Sequence, residues 1–107
     1  MPINYENICP VDLTLSVVGN KWAFLIIRNL LNGTQRFGEL KKGLDGISQK
    51  VLTANLKKLE ENGLVSRKVY PVVPPKVEYS LTTLGYTLKP VMDSLRIWGE
   101  TFQTIAN

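Results

Sequence analysis

The sequence contains no histidine and a single cysteine, Cys9. Without histidine, the usual general base near neutral pH and the usual metal ligand are both missing. Ser-His-Asp, Cys-His and His-metal chemistry are therefore excluded. One cysteine excludes an internal disulfide. No apolar run reaches the roughly 18 residues needed to span a bilayer, so no membrane is expected as a partner. The N-terminal run MPINYENICPVDL lacks a basic start followed by an apolar stretch, so no signal peptide is expected. Repeats and low-complexity segments are also missing. What is present is ordinary for a globular chain: 107 residues, 44% hydrophobic and 21% charged. A chain of this size buries roughly two-thirds of its unfolded surface, enough for a core without staples. The expectation is one cytoplasmic domain over 1–107, not an enzyme, with no metal and no cofactor.

The net charge is +4, and its distribution is uneven. Residues 1–33 and 81–107 are each neutral, whereas 34–63 and 64–80 each carry an excess of +2. A basic middle between neutral ends suggests an electrostatic footprint for a polyanion.

Hydrophobic spacing predicts the elements. Pro10 suits the first position of a helix over 10–18, with Leu13 and Val17 on one face. Gly19-Asn20 breaks the chain. A helix over 21–32 carries Trp22, Leu25, Ile26, Ile27, Leu30 and Leu31, a broad apolar face expected to be buried. A short helix at 37–44 follows, then a turn at Asp45-Gly46. Ser48 stands where an N-cap belongs and opens a helix to Asn62-Gly63, with Leu52, Leu56 and Leu59 as its apolar stripe. Gln49, Lys50, Thr53 and Lys57 fall on another, polar face. Beyond Gly63 the period changes to two. Val65–Val69 and Val77–Leu81 read as antiparallel strands joined by a projecting tip containing Pro71, Pro74 and Pro75. Residues 82–105 are helical again, with Leu84, Leu88, Val91, Leu95, Trp98, Phe102 and Ile105 at steps of four and three. That is the heptad seam of a paired helix, with a kink or restart at Pro90.

This order of elements is that of a winged helix-turn-helix: mainly α with a small β-hairpin and an extended C-terminal dimerisation helix. The helix-turn-helix spans 36–63 and the wing 64–81. In that architecture the capped helix enters a DNA major groove and the hairpin reaches the neighbouring backbone or minor groove. Gln49 suits adenine, Lys50 guanine acceptors, and Thr53 a thymine methyl. Ser48 sets backbone N–H groups against a phosphate. Lys57, with Lys58 a weaker candidate, is placed against phosphate. Arg36 is a phosphate clamp, and Lys68 and Lys76 share the polar side of the wing, with Lys76, at its tip, as a backbone or minor-groove contact. Arg67 points inward or snorkels around the sheet edge. The opposing reading of each is a solvated charge.

The sequence resembles the HxlR-type winged helix regulators, a MarR-like group. The resemblance lies in CPVDLTLSVVGNKW, in RFGELKKGLDGISQKVLTANLKKLEENGLVSRKVYPVVPPKVEYSLTTLG, and in the Pro-Val, Leu and Trp-Gly spacing at 90–99. It implies bacterial or archaeal transcription factors that bind pseudo-palindromic double-stranded DNA as homodimers. It also implies dimerisation through the first and last helices, 8–18 and 84–105. The sequence departs from the pattern at Val72, often Glu, and at Asn20, often Gly. Several members of the resembled family use a cysteine in the position of Cys9 to sense electrophiles or oxidants. At a helix N-terminus its thiolate is favoured, while the opposing reading is a small buried apolar residue.

A repressor is favoured over an activator, since occlusion of a promoter needs no separate activation surface. The rival class is a protein interaction module without sequence-specific DNA binding, which would expose apolar residues on the helix over 48–62. Trp22, Trp98, Tyr79 and Phe102 are read as core, the alternative being an effector pocket between dimer helices. No residue identifies a small-molecule effector.

Overall fold

The computed structural model describes residues 4–107. Met1–Ile3, the start of the segment read above for a signal peptide, lie outside them. After a single 3-10 turn at Tyr5–Asn7 the elements run α1 (Pro10–Val18), α2 (Lys21–Leu30), β1 (Gln35–Arg36), α3 (Phe37–Gly43) and α4 (Gln49–Glu61). They continue with β2 (Val65–Tyr70), β3 (Lys76–Leu81), α5 (Thr83–Tyr86) and α6 (Lys89–Ala106). This is a winged helix with a long C-terminal helix.

The helix boundaries follow from local chemistry. Asn20, where the resembled family often has Gly, caps α2 by accepting from the Ala23 N–H at 3.0 Å. Ser48 caps α4 by accepting from the Val51 N–H at 3.1 Å. At the far end of α4, Gly63 adopts φ +76. The N–H of Leu64 reaches the Leu59 carbonyl and that of Gly63 reaches Glu60, each at 3.0 Å. This Schellman pair stops the helix and aims the chain into β2. Gly46, at φ +84, makes the turn between α3 and α4.

α2 is the hub of the core. Its Ile26, Ile27 and Leu30 are fully buried with Leu40 of α3, Leu52, Leu56 and Leu59 of α4, and Val65 and Leu81 of the sheet. The three leucines of α4 recur at steps of four and three, so one stripe fastens the helix and the opposite side stays free.

The sheet has three strands in the order β1-β3-β2, not two. The added strand is only Gln35–Arg36, too short to show a period of two in sequence. It is extended because β3 offers it a free edge. Gln35 pairs with Tyr79 and Arg36 with Glu78. The Gln35 amide also donates to the Asn29 carbonyl at 2.9 Å. Within the hairpin the register runs from Val65 opposite Leu81 to Tyr70 opposite Lys76.

The stretch read as helical over 82–105, with a kink or restart at Pro90, does restart there and forms two helices. Thr82 caps α5, and the chain restarts with Pro90 in the first turn of α6. Leu88, counted above in the exposed seam, instead packs with Met92 against the chain's own core. Both lie on the neighbouring side of α6 from Val91, Leu95, Trp98, Phe102 and Ile105, which are all exposed.

Candidate nucleic-acid interface

Two adjoining surfaces carry the candidate residues. The first is the outer side of α4. Ser48, Gln49, Lys50, Thr53, Lys57 and Lys58 are all exposed. At 100° per residue, Gln49, Thr53, Lys57 and Lys50 fall within an arc of roughly 100° that flanks the leucine stripe, with Gln49 at the edge beside it. Among the described residues, none of the three lysines of α4 is held in an ion pair. No large apolar side chain of α4 is exposed. The Ser48 oxygen accepts the Val51 N–H as the cap, and its O–H, the free backbone N–H groups and the positive helix end are what this end offers a phosphate.

The second surface is the outer face of the sheet. Cross-strand partners share a face, so the register puts Arg36, Lys68, Tyr70, Lys76 and Glu78 together. Lys68 and Lys76 do share the polar side, as expected. Lys76, however, opens β3 rather than standing free at the tip, and its Nζ lies 3.4 Å from a Glu78 carboxylate oxygen. The Tyr70 ring lies between the two ammonium groups, 4.9 Å from Lys68 and 4.8 Å from Lys76. Glu78 is held below the usual carboxylate range, chiefly by the Tyr70 hydroxyl acting as donor and further by the charges of Lys76 and Arg36. Arg67 lies on the opposite face beside Tyr79 in register and is exposed, which fits the snorkelling alternative. The projecting tip is apolar and open to solvent, with Val73 fully exposed.

Neither Tyr70 nor Glu78 was singled out by the sequence reading. A tyrosine and a glutamate in short alternating strands carry no signal of their own; only the register shows that they stand among three cations. The neutral C-terminal segment is explained by pairing within α6, Lys89 with Asp93 and Arg96 with Glu100, each at 2.9 Å.

Cys9 lies just before α1 and is exposed, not buried. Because Pro10 has no N–H, the nearest free donors are at Val11 and Asp12. The N–H of Asp12, and then that of Val11, hold the thiol below its usual range.

Within one chain the four aromatics lie apart as two pairs. Trp22 and Tyr79 pack against the core. Trp98 and Phe102, expected in the core, are exposed on α6, stacked with ring centroids 5.4 Å apart. The expectation fails for them because α6 docks through Leu88 and Met92, which leaves the Trp98 side facing out. An open cavity of about 480 Å³ lies elsewhere, between α1 and α5, with Leu13, Val17, Leu84 and Leu88 in its wall.

The sequence profile of HxlR-like helix-turn-helix proteins matches residues 17–106. The chain belongs to the HxlR-like helix-turn-helix family. Its relatives are helix-turn-helix transcriptional regulators. YdeP of Bacillus subtilis is 45% identical over 89% of this chain and 74% of its own length. YkvN of the same organism is 50% identical over 85% and 77%. Among solved structures, the redox regulator HypR in its oxidised form superposes with a TM-score of 0.82 at 45% identity, covering 87% of this chain and 96% of that one. The reduced form of YodB from Bacillus subtilis gives 0.78 at 40% identity, covering 89% and 94%. This HxlR-like chain is thus a helix-turn-helix transcriptional regulator close to redox regulators. Among the described residues no helix is by itself long and apolar enough to cross a membrane.

Proposed function

We propose that this chain is a homodimeric, sequence-specific DNA-binding regulator that acts as a repressor in the cytoplasm and catalyses no reaction. The observation that carries the reading is the outer side of α4, which is capped at Ser48, exposed, polar, cationic, and free of exposed large apolar residues. A helix with that face beside a basic wing suits a negatively charged groove. A protein-docking module would present apolar side chains there.

Gln49, Lys50 and Thr53 read base edges, while Arg36, Lys57, Lys68 and Lys76 take phosphates, as do the backbone N–H groups after Ser48. Dimerisation uses 8–18 and 84–105. Val11 and Leu15 of α1 and the Val91–Ile105 stripe of α6 are exposed in one chain and need a cover. A two-fold dimer sets two copies of α4 against a pseudo-palindrome whose half-sites lie roughly 34 Å apart. Cys9, exposed with its thiolate favoured, is the redox-responsive group. The likeness to HypR and YodB supports that role.

Selection of bound duplexes from a random pool tests the reading. Enrichment of an inverted repeat with one-turn spacing is the expected result. Recovery of unenriched DNA, or of none, would favour the protein-docking alternative.

A further inference from the structure

The outer face of the sheet holds an arrangement that counting cations does not explain. Glu78 stands on the middle strand, with Arg36 of β1 and Lys68 of β2 directly opposite it on either side. Lys76 stands two residues before it on the same face and pairs with its carboxylate at 3.4 Å. Tyr70 completes the set with its ring between the two lysines. A surface meant only to be positive gains nothing from a carboxylate at its centre. Three cations this close repel one another, and long free side chains would splay into solvent. A central anion and an aromatic platform reverse that tendency. An ammonium group has three donors and a guanidinium five, so the ion pair with Glu78 leaves donors free on Lys76, and Arg36 and Lys68, opposite Glu78 in register, keep theirs. Ordering these side chains before DNA arrives removes a cost that binding would otherwise carry.

We propose that Glu78 is a positioning residue for DNA binding, holding Arg36, Lys68 and Lys76 with Tyr70 as one phosphate-binding face on the wing. The inference rests on the DNA-binding reading above. The ligand group is a backbone phosphate of duplex DNA, so the effect is independent of base sequence.

The test turns on the sign of one change. Glu78→Gln keeps the side-chain shape and raises the net charge. Simple attraction predicts tighter binding to a random-sequence duplex, whereas positioning predicts binding about threefold to tenfold weaker. In a Lys68→Ala/Lys76→Ala background the same substitution should weaken binding less, because two of the three cations it positions are gone and only Arg36 remains. Tyr70→Leu removes the platform without altering any formal charge. It should weaken binding by a similar factor, and it keeps the test open if Glu78→Gln does not fold. Binding by Glu78→Gln as tight as, or tighter than, wild type overturns the proposal. So does an undiminished loss in the double-alanine background, or a Tyr70→Leu variant that binds as wild type. Failure of the wild type to bind any duplex overturns the DNA-binding reading itself, and is told apart by being present before any substitution.

Discussion

Trp98→Ala should convert the dimer to monomer at concentrations where the wild type is dimeric. Trp98 is 67% exposed in the single chain. A large aromatic buries about 200 Å² when fully covered, so about 130 Å² remains to be buried by a partner. At about 25 cal/mol per Å² that is about 3 kcal/mol per protomer. Alanine retains a little of this area and neighbours close in, leaving about 2 kcal/mol per protomer. Both protomers lose it, so the dimer loses about 4 kcal/mol, close to three decades in Kd. The Trp98–Phe102 stack is lost as well, but it lies within one chain and is present in monomer and dimer alike, so it leaves this figure unchanged. The fold of each protomer should survive, because α6 is fastened through Leu88 and Met92, on its other side. Sedimentation equilibrium across the micromolar range reads the shift, and circular dichroism confirms the retained helix content. A wild type that sediments at 12.0 kDa would refute the assignment of this face. A Trp98→Ala variant as dimeric as wild type would place the interface elsewhere.

Lys50→Ala and Thr53→Ala should flatten preference at one operator position by about 1–3 kcal/mol, while Lys57→Ala should weaken all sequences alike and reduce the salt slope by about one. Competition titrations on cognate and random duplexes separate the two behaviours, and identical losses for all three variants would contradict the division of roles. The Cys9 thiol is depressed, so its thiolate persists below the usual thiol range and is lost as pH falls through that lowered value. Alkylation by iodoacetamide at pH 7 should therefore outpace that of a free cysteine peptide, and equal rates would remove the basis for a sensor. Gly85 is buried, and a Cβ there would collide with the Leu64 carbonyl oxygen. Gly85→Ala should cost about 1–3 kcal/mol, seen as a melting temperature lowered by more than about 5 °C.

What the sequence revealed depended on how far each signal reached along the chain. Ser48, Gly63 and the Leu52–Leu56–Leu59 stripe act within a few residues of themselves, and α4 was readable from them almost to the residue. The change of period after Gly63 marked the wing in the same way. β1 was invisible because Gln35 and Arg36 are extended only through partners more than forty positions away in β3. The polar set on the sheet was half legible. Lys68 and Lys76 announced themselves by charge, whereas Glu78 and Tyr70 acquire a role only through register. Leu88 was misplaced because its spacing fits the exposed seam of α6 and the core stripe equally well. Three-dimensional docking decides between them, and a single stripe of leucines does not.

The order β1-β3-β2 also has a consequence for how the molecule is made. The middle strand is the last of the three to leave the ribosome. Until residues 76–81 emerge, neither β1 nor β2 has a partner, and Leu81 is missing from the wall against which α4 packs. The candidate recognition helix α4 is therefore complete in sequence before the three-stranded sheet beside it can form. A chain halted in the proline-rich tip would carry every candidate side chain of α4 and still lack β3. The wing's second strand thus completes the sheet: β1 and β2 acquire their pairing only in chains that have been synthesised past it.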